Sequence, residues 1–445
     1  MSRAFSIPLR SEAASARFPI FAVAISMVGF ICIKSGRDAV FFSQGGLARL
    51  PLVYILVALT SIPAAMIHLS AMKRWGARRV RTGVVLLSGS VFLGFVPFAD
   101  LRHPLAMQIL YILVPVVFAA VFAAVWLLAA DLLEGSSSET TRWTYSRVGA
   151  ASMLGGAAGG MLASFLSHLL APRFLIAVGG SLLWLVARLI SGAHRRHPLV
   201  LTRRAPASRE EALETAPSCS HPPVDRIQVS WPLKRLLAEP YIRGLFGVSA
   251  LGALAALLID FQFYASVTFS GHTSSFFFAN FYTVLNLASL SLQLLVAPRI
   301  QSRLGVAGAL SVLPLALLGG LGVVAYPGAT LLSRSLLKIT ESGVKASVHR
   351  SVWEQVFLPI QRGRPREMTK VAIDGVGARV AEGLGAALLY ALLRLGGGLE
   401  SSDLSWMTGG VAVVAVLWIG LTLYLQRQGC SELEQKEHVL RLPDS

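Results

Sequence analysis

The amino-acid sequence predicts an all-α membrane protein with twelve transmembrane helices in two parallel six-helix halves. Three observations carry that prediction: apolar blocks of bilayer length, basic loops confined to one side, and an internal repeat. The chain has 445 residues, 54% hydrophobic and only 14% charged, with a mean hydropathy of +0.63. Soluble domains of ordinary composition carry about 25% charged residues. So small a charged share cannot cover a water-facing surface.

The apolar blocks fall at 18–36, 50–71, 82–99, 105–130, 148–171, 173–192, 241–265, 276–296, 304–326, 329–349, 368–395 and 405–426. A helix needs about 20 residues to cross the roughly 30 Å hydrocarbon layer. Backbone polar groups in lipid must pair within their own segment, which makes each block a helix. The first block is longer than a signal-peptide core and reads as a retained anchor.

A net charge of +17 invites a nucleic-acid reading, but the position of the charges argues against one. Most of the 40 Lys and Arg lie in the termini and in the loops 73–81, 131–147, 193–240, 299–303 and 350–370. The alternate loops hold only Arg37, Arg49, Arg102 and Arg173. This asymmetry places both termini on the cytoplasmic side, as an even number of spans requires. The expected organisation is a cytoplasmic N-terminus (1–17), a six-helix half (18–192), a basic cytoplasmic linker (193–240), a second six-helix half (241–426) and a cytoplasmic tail (427–445). The linker, rich in Arg, Pro, Ser and Glu, reads as a disordered connection.

The repeat has an offset of 228 residues. Glu139-Thr-Thr-Arg142 aligns with Glu367-Met-Thr-Lys370, and Val-Gly-Ala follows at 148–150 and again at 376–378. Gly155 and Ala158 then align with Gly383 and Ala386. Both copies run from a cytoplasmic loop into an odd-numbered span, so the halves share one orientation. Parallel six-span halves are the arrangement of the major facilitator fold, whose solute site lies at the bilayer midplane between the halves. Gly155, Gly156, Gly159 and Gly160 form interleaved GxxxG patterns, a packing signature for close helix approach.

Charged groups at span depth cost about 2.5–3.5 kcal/mol each on insertion scales, so each is a functional candidate. Span 1 ends in Lys34-Ser-Gly-Arg37-Asp38, with Lys34 and Asp38 on one helical face. Span 7 carries Asp260-Phe-Gln-Phe-Tyr264, in which Gln262 falls on Lys34 at the repeat offset. Phe261, Phe263 and Tyr264 read as interfacial belt aromatics, with stacking on a solute ring as the alternative. Span 8 presents a polar stripe of Tyr282, Asn286 and Gln293. Span 10 places Arg334, Lys338, Glu341, Lys345 and His349 on one helical stripe. Span 11 opens with Lys370 and Asp374, then Arg379 and Glu382. Cations outnumber carboxylates in this set, which suits a multiply anionic solute such as a phosphate ester.

No cofactor or metal is expected. Cys32, Cys219 and Cys430 have no paired spacing, and the chain lacks a phosphate-binding Gly-rich loop, a His-Glu-x-x-His and a nucleophile elbow. An enzyme is therefore disfavoured. A monomeric secondary transporter is the leading reading. A proton-coupled carrier of a different anion or amphiphile, and a transport-inactive scaffold, stay open beside it.

At these residues the chain resembles the nucleotide (ATP/ADP) translocase family of intracellular bacteria and plastids. The matching stretches are Lys34-Ser-Gly-Arg37-Asp38, Glu139-Thr-Thr-Arg142-Trp-Thr-Tyr145, Leu257-Leu-Ile-Asp260-Phe-Gln-Phe, Lys338-Ile-Thr-Glu-Ser-Gly-Val-Lys345-Ala-Ser, Glu354 to Phe357-Leu-Pro359, and Lys370-Val-Ala-Ile-Asp374. The resemblance implies a major facilitator-like carrier in a bacterial inner membrane, exchanging ATP for ADP one for one. It implies essential roles for Arg37, Glu139, Asp260 and Lys370. The sequence departs from the family pattern in having Arg37 where Lys is common, Asp260 where some members have Glu, and an unusually basic, proline-rich linker. The expected solute-binding set is Lys34, Arg37, Asp38, Glu139, Arg142, Asp260, Gln262, Asn286, Lys338, Lys345, Lys370 and Asp374.

Overall fold

Helix is the only regular structure among the described residues of the computed structural model, which are 10–100, 104–133, 138–196, 239–324, 331–357, 369–395 and 404–440. In chain order the helices are α1 (Arg10–Ser43), α2 (Leu50–Trp75), α3 (Ala77–Phe95), α4 (Pro104–Leu132), α5 (Ser138–Leu166) and α6 (Pro172–Arg196). They continue with α7 (Pro240–Phe269), α8 (Ser275–Ser291), α9 (Ala297–Val324), α10 (Leu331–Val344), α11 (Ala378–Leu395) and α12 (Leu404–Leu440). Ten helical stretches among the described residues are long and apolar enough to cross a membrane. The other two are the shorter apolar Gly308–Val324 within α9, and α10, whose charges lower its hydropathy. The chain is a multi-pass membrane protein. The linker expected between the halves lies almost wholly outside the described residues.

Several boundaries differ from expectation. α1 begins eight residues before 18 and α12 runs on past 426. α9 continues through the expected loop 299–303, because Gln301, Arg303 and Leu304 are good helix formers and Pro314 is the one proline inside the helix. Gly76, at φ 83°, is the single residue between α2 and α3, a backbone conformation that only glycine adopts without cost. Among the described residues three π-helical segments also interrupt the α-pattern: Leu292–Val296 after α8, Lys345–His349 after α10, and Val371–Gly377 before α11.

The chain divides into two compact units. The first holds residues 1–40, 64–225 and 274–283; the second holds 41–63, 226–273 and 284–445. In the first, α1 packs on α5 where Gly155 meets the backbone of Ala24 and Gly159 that of Val28, and on α6 where Gly29 meets Gly179. The start of α8 closes on α5 at Gly160, against the carbonyl of Ala279. In the second, α7 packs on α11 where Gly385 meets Leu254 and Leu257, and on the π segment just before it where Gly377 meets Phe246. It packs on α12 where Gly244 meets Leu425 and Gly252 meets Trp418. α1 thus takes α5 and α6 as its partners, and α7 takes α11 and α12, the same pairing six helices later. α3 packs on α4 and α6, and α9 on α10 and α12, in the same register. The repeat is a repeat of packing as well as of letters.

Glycine is required where helix backbones touch. A Cβ at position 155 would lie 2.8 Å from the Ala24 Cα and closer still to its carbonyl oxygen, neither of which can swing aside. Gly155→Val is expected to destabilise the protein by about 1–3 kcal/mol or more through overpacking. Gly94→Ala, at a helical position with nothing within 4 Å, is expected to be neutral or to stabilise by up to about 1 kcal/mol. Thermal unfolding of the detergent-solubilised variants checks both.

Candidate functional site

In the first unit the end of α1 carries a buried charge cluster. Asp38 is fully buried and Arg37 is 5% exposed. The Arg37 guanidinium donates to Asp38 Oδ1 through Nε (2.7 Å) and Nη2 (2.5 Å). The other Asp38 oxygen accepts a hydrogen bond from the Tyr282 hydroxyl of α8. The same tyrosine ring carries the Lys34 ammonium, 4.3 Å from its centroid, and the Arg37 guanidinium stacks 3.9 Å over the ring of Tyr111 from α4. These residues are held within protein rather than snorkelling at an interface. Lys34, Asp38 and Tyr282 come into contact because α1 and α8 approach closely here. Ser164 of α5 also donates to Asn280 of α8 (3.2 Å).

In the second unit α7 and α10 share one ammonium. Lys338 Nζ lies 2.8 Å from Asp260 Oδ1 on α7 and 2.6 Å from Glu341 Oε2 one turn along α10. Glu341 Oε2 also accepts from Ser342 Oγ (2.7 Å), and Glu341 Oε1 lies 3.6 Å from Lys345 Nζ. Exposure grades sharply across the network: the side chain of Glu341 is 3% exposed, Lys338 11%, Asp260 32% and Lys345 46%. One turn earlier, Arg334 has its Nε buried with no hydrogen-bond partner among the described residues. The expected stripe therefore holds from Arg334 to Lys345. The π segment Lys345–His349 follows, and its last residue, His349, stacks on Trp353 (centroids 5.7 Å, interplanar 19°).

Gln262, buried, has its Oε1 3.2 Å from Thr408 Oγ1 of α12. Its Nε2 has no hydrogen-bond partner among the described residues. Phe261, Phe263 and Tyr264 are buried, not a belt at the membrane boundary, and Tyr264 stacks on Phe42 (4.5 Å, 19°). Asn286 is likewise buried.

Lys370 and Asp374 stand elsewhere. Lys370 pairs with Glu354, and Asp374 Oδ1 accepts from the Trp353 indole N–H (2.8 Å). Their partners lie fifteen or sixteen residues beyond Lys338 along the α10 chain segment, roughly 22 Å at 1.5 Å per residue. The expected i,i+4 pairing of Lys370 with Asp374 is replaced by these contacts, because the intervening Val371–Gly377 is π-helical. Arg379 and Glu382 do pair, at 2.6 Å. Glu139 and Arg142 fall on the first turns of α5, and their side chains lie outside the described residues.

Sequence reasoning missed Tyr111 beneath Arg37 and Thr408 beside Gln262, since neither carries a charge or a motif. It also placed Arg81 in a cytoplasmic loop, whereas Arg81 is buried in α3 and pairs with Asp131 of α4 at 2.5 Å.

No protein-family model matches the chain, and no curated protein matches it. Solved structures do. The crystal structure of the nucleoside transporter NupG matches with a TM-score of 0.60 at 12% identity, over 91% of this chain and 98% of that one. A crystal structure of a variant of the same transporter matches at 0.62, with 14% identity over 92% and 99%. A POT family transporter in complex with a thioalcohol-conjugated peptide matches at 0.56, with 13% identity over 93% and 96%. The chain has a major facilitator-like fold. In this fold the two charge clusters belong to α1 and α8 on one hand and to α7 and α10 on the other, helices that the repeat relates in part.

The role of Tyr282 is separable. Tyr282→Phe keeps the ring beneath Lys34 and deletes the donor to a fully buried carboxylate, a loss expected to cost about 1–3 kcal/mol. Tyr282→Leu removes the ring as well and is expected to cost about 0.5–2 kcal/mol more. Thermal unfolding of the two variants side by side measures the difference; equal losses would mean that the ring face contributes nothing.

Proposed function

We propose that this protein is a secondary transporter that moves a nucleotide or another phosphate-bearing anion by alternating access, with ATP/ADP exchange as the specific form. The single observation that carries the reading is the Lys338 ammonium, buried and shared between a carboxylate of α7 and one of α10. A charge buried among membrane-spanning helices is costly to keep and is by default a candidate for a solute or ion pathway. The wider set supports an anion: among the described residues of the two clusters, the cations Lys34, Arg37, Arg334, Lys338 and Lys345 outnumber the carboxylates Asp38, Asp260 and Glu341. Two groups of cations, each in excess of its carboxylates, are stabilised when a polyanionic solute passes. Guanidinium and ammonium groups bind phosphate oxygens through charge-assisted hydrogen bonds. The resemblance of Arg37, Glu139, Asp260 and Lys370 to the residues essential for nucleotide exchange supports the same solute class. The solved neighbours, one a nucleoside transporter, are compatible with a solute built on a nucleoside.

A second reading, proton-coupled movement of a different anion or amphiphile, draws on one feature. Asp260 is a partly open carboxylate in an ion pair between two helices, and protonation would release it. Uptake that follows an imposed pH gradient in the wild type and ignores it in Asp260→Asn would favour that reading.

Proteoliposomes loaded with unlabelled ADP are expected to take up labelled ATP. Lys345→Met removes the most open cation of the α10 network while Glu341 keeps Lys338 as its partner. Loss of one charge-assisted bond, about 1.5–3 kcal/mol, is expected to lower uptake efficiency about 10- to 100-fold. Absence of exchange for every nucleotide tested, by protein shown to be folded, would remove the proposal.

A further inference from the structure

The two carboxylates that share Lys338 are not equivalent, and their difference assigns a division of labour. Glu341 sits on the same helix as Lys338, one turn away, and is 3% exposed. Its Oε2 is held a second time by Ser342, and its Oε1 faces Lys345. Nothing that moves α7 against α10 changes those three relations, because all four residues lie on one stretch of chain. Asp260 is bound to Lys338 only across a helix–helix boundary, and a third of its side chain is open.

We propose that Glu341 is a fixed counter-ion, a positioning residue that keeps Lys338 charged and in place, and that Asp260 is a mobile counter-ion whose seat on Lys338 the anionic group of the solute takes. The inference rests on the anion-transport reading and adds to it which carboxylate leaves. The chemistry follows from the pairing. A buried ammonium stripped of all its carboxylates is strongly destabilised, so a carrier cannot release Lys338 completely between solutes. With Glu341 in place, Lys338 keeps at least one anionic partner at every stage, and two whenever Asp260 or a phosphate oxygen occupies the second seat. Asp260 then acts as an internal competitor: it lowers the apparent affinity for anions, because the binding-competent form is only the fraction in which it has left. It also refills the seat after solute departs.

The two roles make opposite predictions for two neutralising variants, read on the full-length protein in detergent with ATP and inorganic phosphate as probes. Asp260→Asn is expected to unfold within a few degrees of wild type and to bind ATP up to about tenfold more tightly, since the competitor is gone. Glu341→Gln is expected to unfold at distinctly lower temperature and to bind ATP more weakly. Adding Lys338→Met to Glu341→Gln is expected to restore stability, because the under-compensated ammonium goes too. The melting-point rise at saturating ATP should follow the order Asp260→Asn, wild type, Glu341→Gln. Phosphate is expected to give the same order with smaller shifts.

Weaker ATP binding by Asp260→Asn, or equal destabilisation by both variants, would overturn the assignment. If wild type binds neither probe, the anion reading fails on that result. The stability comparison and its rescue by Lys338→Met then decide the counter-ion roles separately.

Discussion

An ammonium buried among transmembrane helices needs carboxylates around it, and the pairing of Lys338 with Asp260 and Glu341 is the constraint on which the proposed chemistry depends. It ties α7 to α10 by charge, beside the apolar packing of Leu258 and Ile259 with Leu337 and Val344 in one buried cluster. It also accounts for α10 itself. A helix that carries Arg334, Lys338 and Glu341 cannot face lipid, so it must be surrounded, and it packs against both α7 and α9. The cluster at the end of α1 obeys the same rule with different means. There Arg37 and Asp38 neutralise one another, and aromatic rings of Tyr111 and Tyr282 take up the remaining faces of the cations.

The fold was legible because the bilayer leaves so few choices. Apolar blocks of fixed length must be helices, and a same-sense repeat at 228 residues requires two parallel halves. Glycines that looked like packing residues are packing residues: Gly155 and Gly159 bring α5 onto α1. Less visible were the places where helical period changes. The stripe from Arg334 to His349 assumes 3.6 residues per turn, and π segments such as Lys345–His349 and Val371–Gly377 carry no compositional mark. Across the second of these segments Lys370 and Asp374 contact Glu354 and Trp353, partners that spacing alone does not indicate.

The candidate site was legible as a set of buried charges, while the partners of those charges were not. Lys34, Arg37, Asp38, Asp260 and Lys338 declare themselves because charge inside a membrane is expensive. Tyr111 and Thr408 do not, since an aromatic or a hydroxyl in a helix has many ordinary uses and only tertiary contact singles it out. Glu341 illustrates an intermediate case. Its spacing put it on the stripe, but only burial and its bond to Ser342 distinguish it from the more open Asp260.

Solved carriers of nucleosides and peptides share this fold at low identity, so the fold alone leaves the charge of the solute open. Charge movement decides it. Proteoliposomes adsorbed on a solid-supported membrane report the transient current that follows a sudden change of external solute. With buried cations as the solute seat, a jump to ADP is expected to displace charge, and an equal jump to adenosine is expected to displace none. A current from adenosine with silence from ADP would contradict the claim that phosphate-bearing anions are what this protein carries.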